Sequence, residues 1–271
     1  MTGLFNEFYK NIYGKRWTTL HESLLLPSLT VSYKEGLSTP YFLDSASICA
    51  ALSLRLPDIH YINPKPVVLD ACAAPGGKTL VIASKMEKGT VLLANEYSSQ
   101  RRSRLSAALD KHLSLELRNR IQVSGFNAAA AARRQSERGR FAAILVDTPC
   151  SSERHVINSK AALEKWTPSR PQFLVQREWS LLSASFLLLE CGGSLVYTTC
   201  SINPQENDGV AGRLLKKYSN INHLAEGFCV LDRPDFPAGE ETEYGRIILP
   251  DTSEGSGPMY VARFIKKASF Q

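Results

Sequence analysis

Two segments each place a cysteine close to groups able to tune a thiol. "VDTPCSS" (146–152) sets Asp147 three residues before Cys150, and "YTTCSINPQEN" (197–207) carries Cys200. A thiolate that adds reversibly to a carbon splits one hard step into easier ones. Carbon 5 of cytosine is such a case. It is a poor nucleophile until a thiolate adds to carbon 6, and it can then attack an electrophilic methyl on a sulfonium. The chemistry needs a thiolate, a proton-bearing group near ring nitrogen 3 and the exocyclic amine, and a second group to resolve the adduct. A cysteine, an acid and a second cysteine are the right types. Residue chemistry alone leaves open which of Cys150 and Cys200 attacks.

A third segment, "LDACAAPGGKTL" (69–80), ends in Gly-Lys-Thr behind a hydrophobic run. It is not a phosphate loop. That motif requires glycine where Cys72 stands, and Pro75 removes an amide donor from the cradle. The dinucleotide motif G-x-G-x-x-G is absent too. Small residues and two glycines still let a backbone approach a ligand at a helix N-terminus. Glu96, closing "GTVLLANE", is placed to accept hydrogen bonds from the two hydroxyls of a ribose. Together these features point to a nucleoside ligand without a triphosphate, of which S-adenosylmethionine is one.

Such groups converge only if a fold brings strand ends together. "PVVLDA", "GTVLLANE", "NRIQVSG", "FAAILVDTP" and "GGSLVYTTC" read as strands. "GKTLVIASKM", "SSQRRSRLSAALDKHL", "PQFLVQREWSLLSASFLLLE" and "PQENDGVAGRLLKKY" read as helices, the last with Pro204 near its first turn. This alternation predicts an α/β, doubly wound, mostly parallel sheet with ligands at the carboxyl ends of the strands. "GRIILPDTSEGSGPMYVARFIKK" predicts a terminal hairpin supplying an antiparallel edge strand. Upstream, "LDSASICAALSLRL" predicts a helix capped by Asp44 or Ser45. "FNEFYKNIY" and "TTLHESLLLPSL" predict amphipathic helices. The expected division is a short helical N-terminal extension over 1–38 and one catalytic domain over 39–271.

Composition narrows the classes. Of 271 residues, 44% are hydrophobic and 21% charged, which suits a globular core. No apolar run approaches the roughly 18 needed to span a bilayer. Lys and Arg exceed Asp and Glu by 32 to 26, which permits a nucleic-acid partner without requiring one. The clusters "RRSR", "RRQSERGR" and "FIKK" read first as solvated faces. The six cysteines, Cys49, Cys72, Cys150, Cys191, Cys200 and Cys229, form no C-x-x-C pair, so no metal site is expected. The start has neither a signal-peptide core nor a good transit signal, and the expected location is cytoplasmic, with mitochondrial as the alternative.

The set "DACAAPGGKT", "VDTPCS" and "YTTCSINPQEN" resembles the NOP/Sun family of RNA cytosine-5 methyltransferases. The likeness runs from about Tyr41 to the C-terminus. "YGKRWTTLHESLLLP" is similar to the compact branch that includes mitochondrial rRNA methyltransferases. The resemblance implies a Rossmann-like methyltransferase fold with S-adenosylmethionine as cofactor. It implies that Cys72, Ala73, Ala74, Pro75, Gly76, Gly77 and Lys78 wrap the methionine part and that Glu96 holds the ribose. Asn127 falls where the family usually has an aspartate beside the adenine. Asp147 would touch both cofactor and base, with Lys78 helping to position the base. Cys200 resembles the nucleophile, and Cys150 the cysteine that assists release. The implied partner is RNA, either rRNA or tRNA, selected through the basic clusters, through RNA shape or through a partner protein. No membrane partner is expected, and the sequence does not give the oligomeric state, with a monomer favoured. Arg154 and His155 are candidate RNA contacts. A non-catalytic RNA-binding protein on the same fold would have lost Cys200, Asp147 or the glycine loop, and all are present. A DNA target is set aside only by the resemblance. A protein target does not call for paired thiols.

Overall fold

The computed structural model describes residues 2–56, 58, 65–223 and 236–267. Five parallel strands form the heart of the sheet: β3 (Val67–Asp70), β4 (Val91–Asn95), β5 (Ile121–Ser124), β6 (Phe141–Asp147) and β7 (Leu189–Thr199). They run in the order β5-β4-β3-β6-β7. Ahead of them, β1 (Thr30–Tyr33) and β2 (Tyr41–Asp44) form a separate antiparallel hairpin. The stretch over 1–38 is therefore not wholly helical: α1 (Thr2–Tyr13) and α2 (Trp17–Leu25) give way to β1.

Successive strand residues point to opposite faces, and both faces are apolar. Leu69, Ile144, Val146, Leu195 and Tyr197 enter one core. Val68, Ala143, Leu145 and Val196 enter the other. The second face is covered by α3 (Ser45–Leu52), α4 (Gly77–Ser84) and α5 (Ser99–His112), whose apolar residues belong to that core. The first is covered by α10 (Arg170–Leu188) and by α1 and α2. Phe5, Tyr9 and Trp17 pack there with Trp166, with ring centroids 4.7 Å apart for Phe5–Tyr9 and 5.0 Å for Phe5–Trp166. Asp44 is the cap of α3, accepting from the Ala46 N–H at 2.8 Å.

Three sequence expectations shift. The long helix stops at Leu188, and 189–191 join β7, where Leu189 pairs with Phe141 of β6, and Gly193 passes so close that a Cβ would lie 2.9 Å from the Ala142 carbonyl. Pro204 precedes its helix, α11 (Asp208–Lys217), instead of lying in its first turn. The terminal hairpin, β10 (Arg246–Ile248) and β11 (Met259–Lys266), is antiparallel but not at the edge. β11 lies between β7 and β10, with Tyr260 opposite Thr199, and also pairs β8 (Ile221–His223). β9 (Glu240–Glu241) continues the sheet beyond β10. Cys229 lies outside the described residues.

Candidate active site

The residues singled out for chemistry all follow strand ends. β3 runs into the 71–77 loop, β4 into Glu96, β6 into Thr148–Ser152 and β7 into Cys200. Asn95, fully buried at the end of β4, ties the ends of β3 and β5 to its own. Its amide donates to the Ala71 and Phe126 carbonyls at 3.1 Å each, and its oxygen accepts from the Phe126 N–H at 3.0 Å.

The two cysteines meet. Cys150 Sγ lies 2.9 Å from Cys200 Sγ, and the Cys200 N–H donates back to Cys150 Sγ at 3.2 Å. The Ser152 hydroxyl lies 3.1 Å from Cys200 Sγ, on a residue with φ of 53°. The hydrogen bond from Cys150 lowers the Cys200 thiol. Ser152 and the Lys78 charge add to that effect, and together they outweigh burial and Asp147. The same bond, with burial, pushes Cys150 well up. The pair is thus asymmetric, with the Cys200 thiol held below its ordinary value and the Cys150 thiol above its own. Residue types alone could not make that distinction.

Cys200 lines one of two neighbouring depressions. A groove of about 540 Å³ is lined by Leu25, Ser28, Ser47, His155, Cys200 and Met259, among others. A smaller cavity is lined by Ser47, Asp70, Cys72–Pro75, Gly77, Lys78 and Asp147. Ser47 borders both. Lys78 Nζ donates to Asp147 Oδ2 at 2.9 Å. Burial works against the Lys78 charge, but Asp147 more than offsets it, and the ammonium is held above its ordinary value.

The 72–78 loop lines the smaller cavity and is packed closely behind. Gly76 has φ of +119°, and a Cβ there would lie 3.2 Å from Ala108 Cβ. Asp70, which sequence reading passed over, lines the cavity. Its Oδ2 accepts from the Thr79 hydroxyl at 2.7 Å, while its buried Oδ1 has no hydrogen-bond partner among the described residues. Burial raises its carboxyl to about 7. A buried acceptor with nothing to accept suits a cationic ammonium. Burial likewise pushes the Cys72 thiol to about 12, which makes it a wall and not a nucleophile.

Glu96 is buried, accepts from the Ser98 N–H at 2.9 Å and pairs with Arg101 at 3.1 Å. Arg101 also donates to the Ala74 carbonyl at 2.6 Å, so it links the loop to Glu96. Neither Glu96 nor Asn127 borders the cavity at Asp70. Asn127 is exposed, and its side-chain oxygen caps the Ala128–Ala131 helix through the Ala129 N–H at 3.1 Å. That oxygen is the atom expected to meet an adenine amino group, so it would have to serve both.

Of the candidate RNA contacts, Arg154 is spent on the fold. Its guanidinium donates to the Gly255 carbonyl at 3.1 Å and the Ser23 carbonyl at 3.4 Å. His155 is exposed and borders the groove. The basic clusters are partly structural. Arg102 donates to the Glu96 carbonyl at 2.7 Å, Arg138 to the Ala132 carbonyl at 3.0 Å and Lys266 to the Leu189 carbonyl at 2.6 Å.

Comparison with known proteins bears on the family and the fold. The bovine "5-cytosine rRNA methyltransferase NSUN4" is 30% identical over 243 residues, covering 85% of this chain and 60% of that protein. "Ribosomal RNA small subunit methyltransferase F" of Aeromonas salmonicida is 32% identical over 256 residues, covering 93% and 50%. The chain spans roughly half the length of these curated relatives. Among solved structures, a methyltransferase homologue from Pyrococcus horikoshii superposes with a TM-score of 0.70 at 20% identity, covering 97% of this chain and 94% of that one. NSun6 from the same organism gives 0.67 at 21%, covering 90% and 57%. Both show the shared Rossmann-like methyltransferase fold. The family model described as 16S rRNA methyltransferase RsmB/F matches residues 60–265, and the chain belongs to that family.

Proposed function

We propose that this protein is an S-adenosylmethionine-dependent RNA cytosine-5 methyltransferase acting on ribosomal RNA, with the catalytic domain over 39–271 and the 1–38 segment as its support. The observation that carries the reading is the polarised thiol pair, with Cys200 bordering one depression beside the glycine loop's cavity. The names of the relatives supply the substrate class.

The cofactor's fit rests on Asp70 Oδ1, a buried acceptor without a partner among the described residues, and on Gly77, where a Cβ would press on Tyr41 and Leu43 in the cavity wall. Residues Cys72 to Lys78 would wrap its amino-acid end, Asp70 would meet its ammonium, Glu96 its ribose and Asn127 its adenine. When bound, S-adenosylmethionine supplies an electrophilic methyl group.

The protein's own part follows from the site. A cytosine must leave its stack to reach Cys200, as a base in a loop or bulge can. The groove beside His155 admits it. Cys200 Sγ, already stabilised as thiolate by Cys150 and Ser152, forms a bond to carbon 6. Asp147, anchored by Lys78, faces the ring nitrogen and exocyclic amine, where the ring gains electron density. Once carbon 5 is methylated, a base takes its proton, the electrons of that carbon–hydrogen bond reform the 5,6 double bond, and the carbon 6–sulfur pair leaves with Cys200 as thiolate. Cys150, 2.9 Å from the departing sulfur, is the group placed to assist.

The test is transfer of labelled methyl to small-subunit ribosomal RNA, tRNA and DNA. Wild type should label cytosine of ribosomal RNA, and Cys200→Ala should lose labelling while keeping cofactor affinity. Labelling of DNA alone, or of nothing, would overturn the proposal.

A further inference from the structure

Each cysteine of the pair is followed by a serine, and both serines end on one carboxyl group. The Ser151 N–H donates to Glu206 Oε2 at 2.7 Å, and the Ser151 hydroxyl to Oε1 at 2.5 Å. The Ser201 hydroxyl lies 3.0 Å from the same Oε1 and 2.9 Å from Glu153 Oε1. All four residues are fully buried. Glu153 is itself fixed, accepting from the Tyr9 hydroxyl at 2.5 Å and the Ile202 N–H at 3.1 Å. Glu178, on α10, lies against Glu206. Burial and the Glu206 charge push its carboxyl up to about 11, so it faces Glu206 as a neutral acid.

Burying carboxyl groups costs several kcal/mol each unless partners compensate. Neither Glu206 nor Glu153 borders the groove or the cavity, so neither is placed to touch a ligand. Their effect is on geometry. The loops after β6 and β7 leave separate strands, yet the thiols must stay within hydrogen-bond distance for one to polarise the other. Ser151 and Ser201 are one residue from the two sulfurs, and a single acceptor holds both.

We propose that Glu206 is a positioning residue that draws the residues after Cys150 and Cys200 onto one acceptor and so sets the thiol–thiol contact. The inference rests on reading Cys200 as the nucleophile.

The test reads sulfur chemistry without RNA. The full chain is treated with iodoacetamide across a pH series, and alkylation of Cys200 is resolved from that of Cys150 by mass spectrometry. Glu206→Gln keeps the shape but turns an N–H group toward Ser151 or Ser201, so one arm is lost. Ser151→Ala and Ser201→Ala each remove one arm. The other groups acting on Cys200, namely Cys150, Ser152, Asp147 and Lys78, stay in place. Glu206→Gln also relieves the charge that raises Glu153 and Glu178, whereas the serine variants keep that charge and read the arms alone. In Glu206→Gln the midpoint for Cys200 should move up, and alkylation at neutral pH should fall about tenfold, the equivalent of one pKa unit. The alkaline plateau should stay at the wild-type level, because a mere change in access would move the plateau and not the midpoint. Smaller shifts of the same sign are expected for the serine variants. An unchanged midpoint in folded Glu206→Gln overturns the proposal. Should that variant not fold, unchanged midpoints in both serine variants overturn it. Wild type that transfers no methyl to RNA would sink the proposed function and leave the alkylation result standing.

Discussion

Replacing Cys150 by alanine should impair two steps of different pH dependence. The Cys150 S–H is the principal donor to Cys200, at 2.9 Å. Hydrogen bonds to a charged acceptor contribute about 1.5–3 kcal/mol, and a thiol is a weak donor, so the lower end applies. About 1.4 kcal/mol is one pKa unit. The Cys200 thiol of the wild type is held below its ordinary value, so thiolate is lost only as pH falls through that lowered value. In Cys150→Ala the midpoint moves up, thiolate at pH ~7 falls about tenfold, and addition to cytosine slows by up to that factor. Alkaline pH should restore the rate. Release is a separate deficit that pH does not repair, because the group beside the departing sulfur is gone. Mixing the variant with substrate RNA and cofactor, then resolving protein from adduct on a denaturing gel over time, measures both. Slow appearance at neutral pH, faster appearance at alkaline pH, and persistence at both are expected. A deficit in addition that is the same at every pH would refute the polarised pair. An adduct that accumulates in Cys200→Ala and not in Cys150→Ala would show that the roles are reversed.

Gly76→Ala forces a side chain onto a φ of +119° and against Ala108 and Leu105, a strain of about 1–3 kcal/mol. Thermal melting should fall by several degrees and cofactor affinity with it, whereas Gly3→Ala, with nothing within 4 Å of its Cβ, should change neither. Lys78→Met leaves Asp147 without its cation and removes a charge that favours the Cys200 thiolate. Methyl transfer should drop more than about tenfold, with the Cys200 alkylation midpoint moving up. Glu178 is held protonated to about 11, well above its unfolded value, so the folded state binds the extra proton and stability declines as pH rises above the unfolded value. Glu178→Gln removes that dependence. Between mildly acidic and alkaline pH its melting temperature should fall less than that of the wild type, by roughly 2–4 °C for each kcal/mol of linkage removed.

The elements that carry the site were legible because each is local. β-branched runs followed by small residues mark β3, β4 and β6, and the loop after each strand lies next to it in sequence. Asp147, Cys150, Cys200 and the 72–78 loop therefore converge as the doubly wound pattern requires. What escaped is set by distant contacts. The β1–β2 hairpin has four-residue strands with little alternation, so Pro27 and Gly36 read only as breaks. The place of β11 beside β7 depends on pairing over some sixty residues, which no window detects. Asp70 reads as a strand-end polar residue until its unpaired Oδ1 is seen. Glu178 reads as the polar stripe of an amphipathic helix, yet it is fully buried.

Glu153 and Glu206 show why this last class resists sequence reading. Glutamates beside a cysteine motif are expected on a surface or in a catalytic role, and neither description fits these two. Their partners come from Tyr9 on α1, Ser151 after β6 and Ser201 after β7, segments far apart in the chain. Helix α1 thereby joins the reactive centre without bordering the groove or the cavity, because Tyr9 holds Glu153, Glu153 shares Ser201 with Glu206, and Ser201 follows Cys200. A truncation that removes α1 should then do more than lower stability. It should raise the Cys200 alkylation midpoint in whatever fraction remains folded, whereas a helix that merely covers the sheet would leave that midpoint where it is.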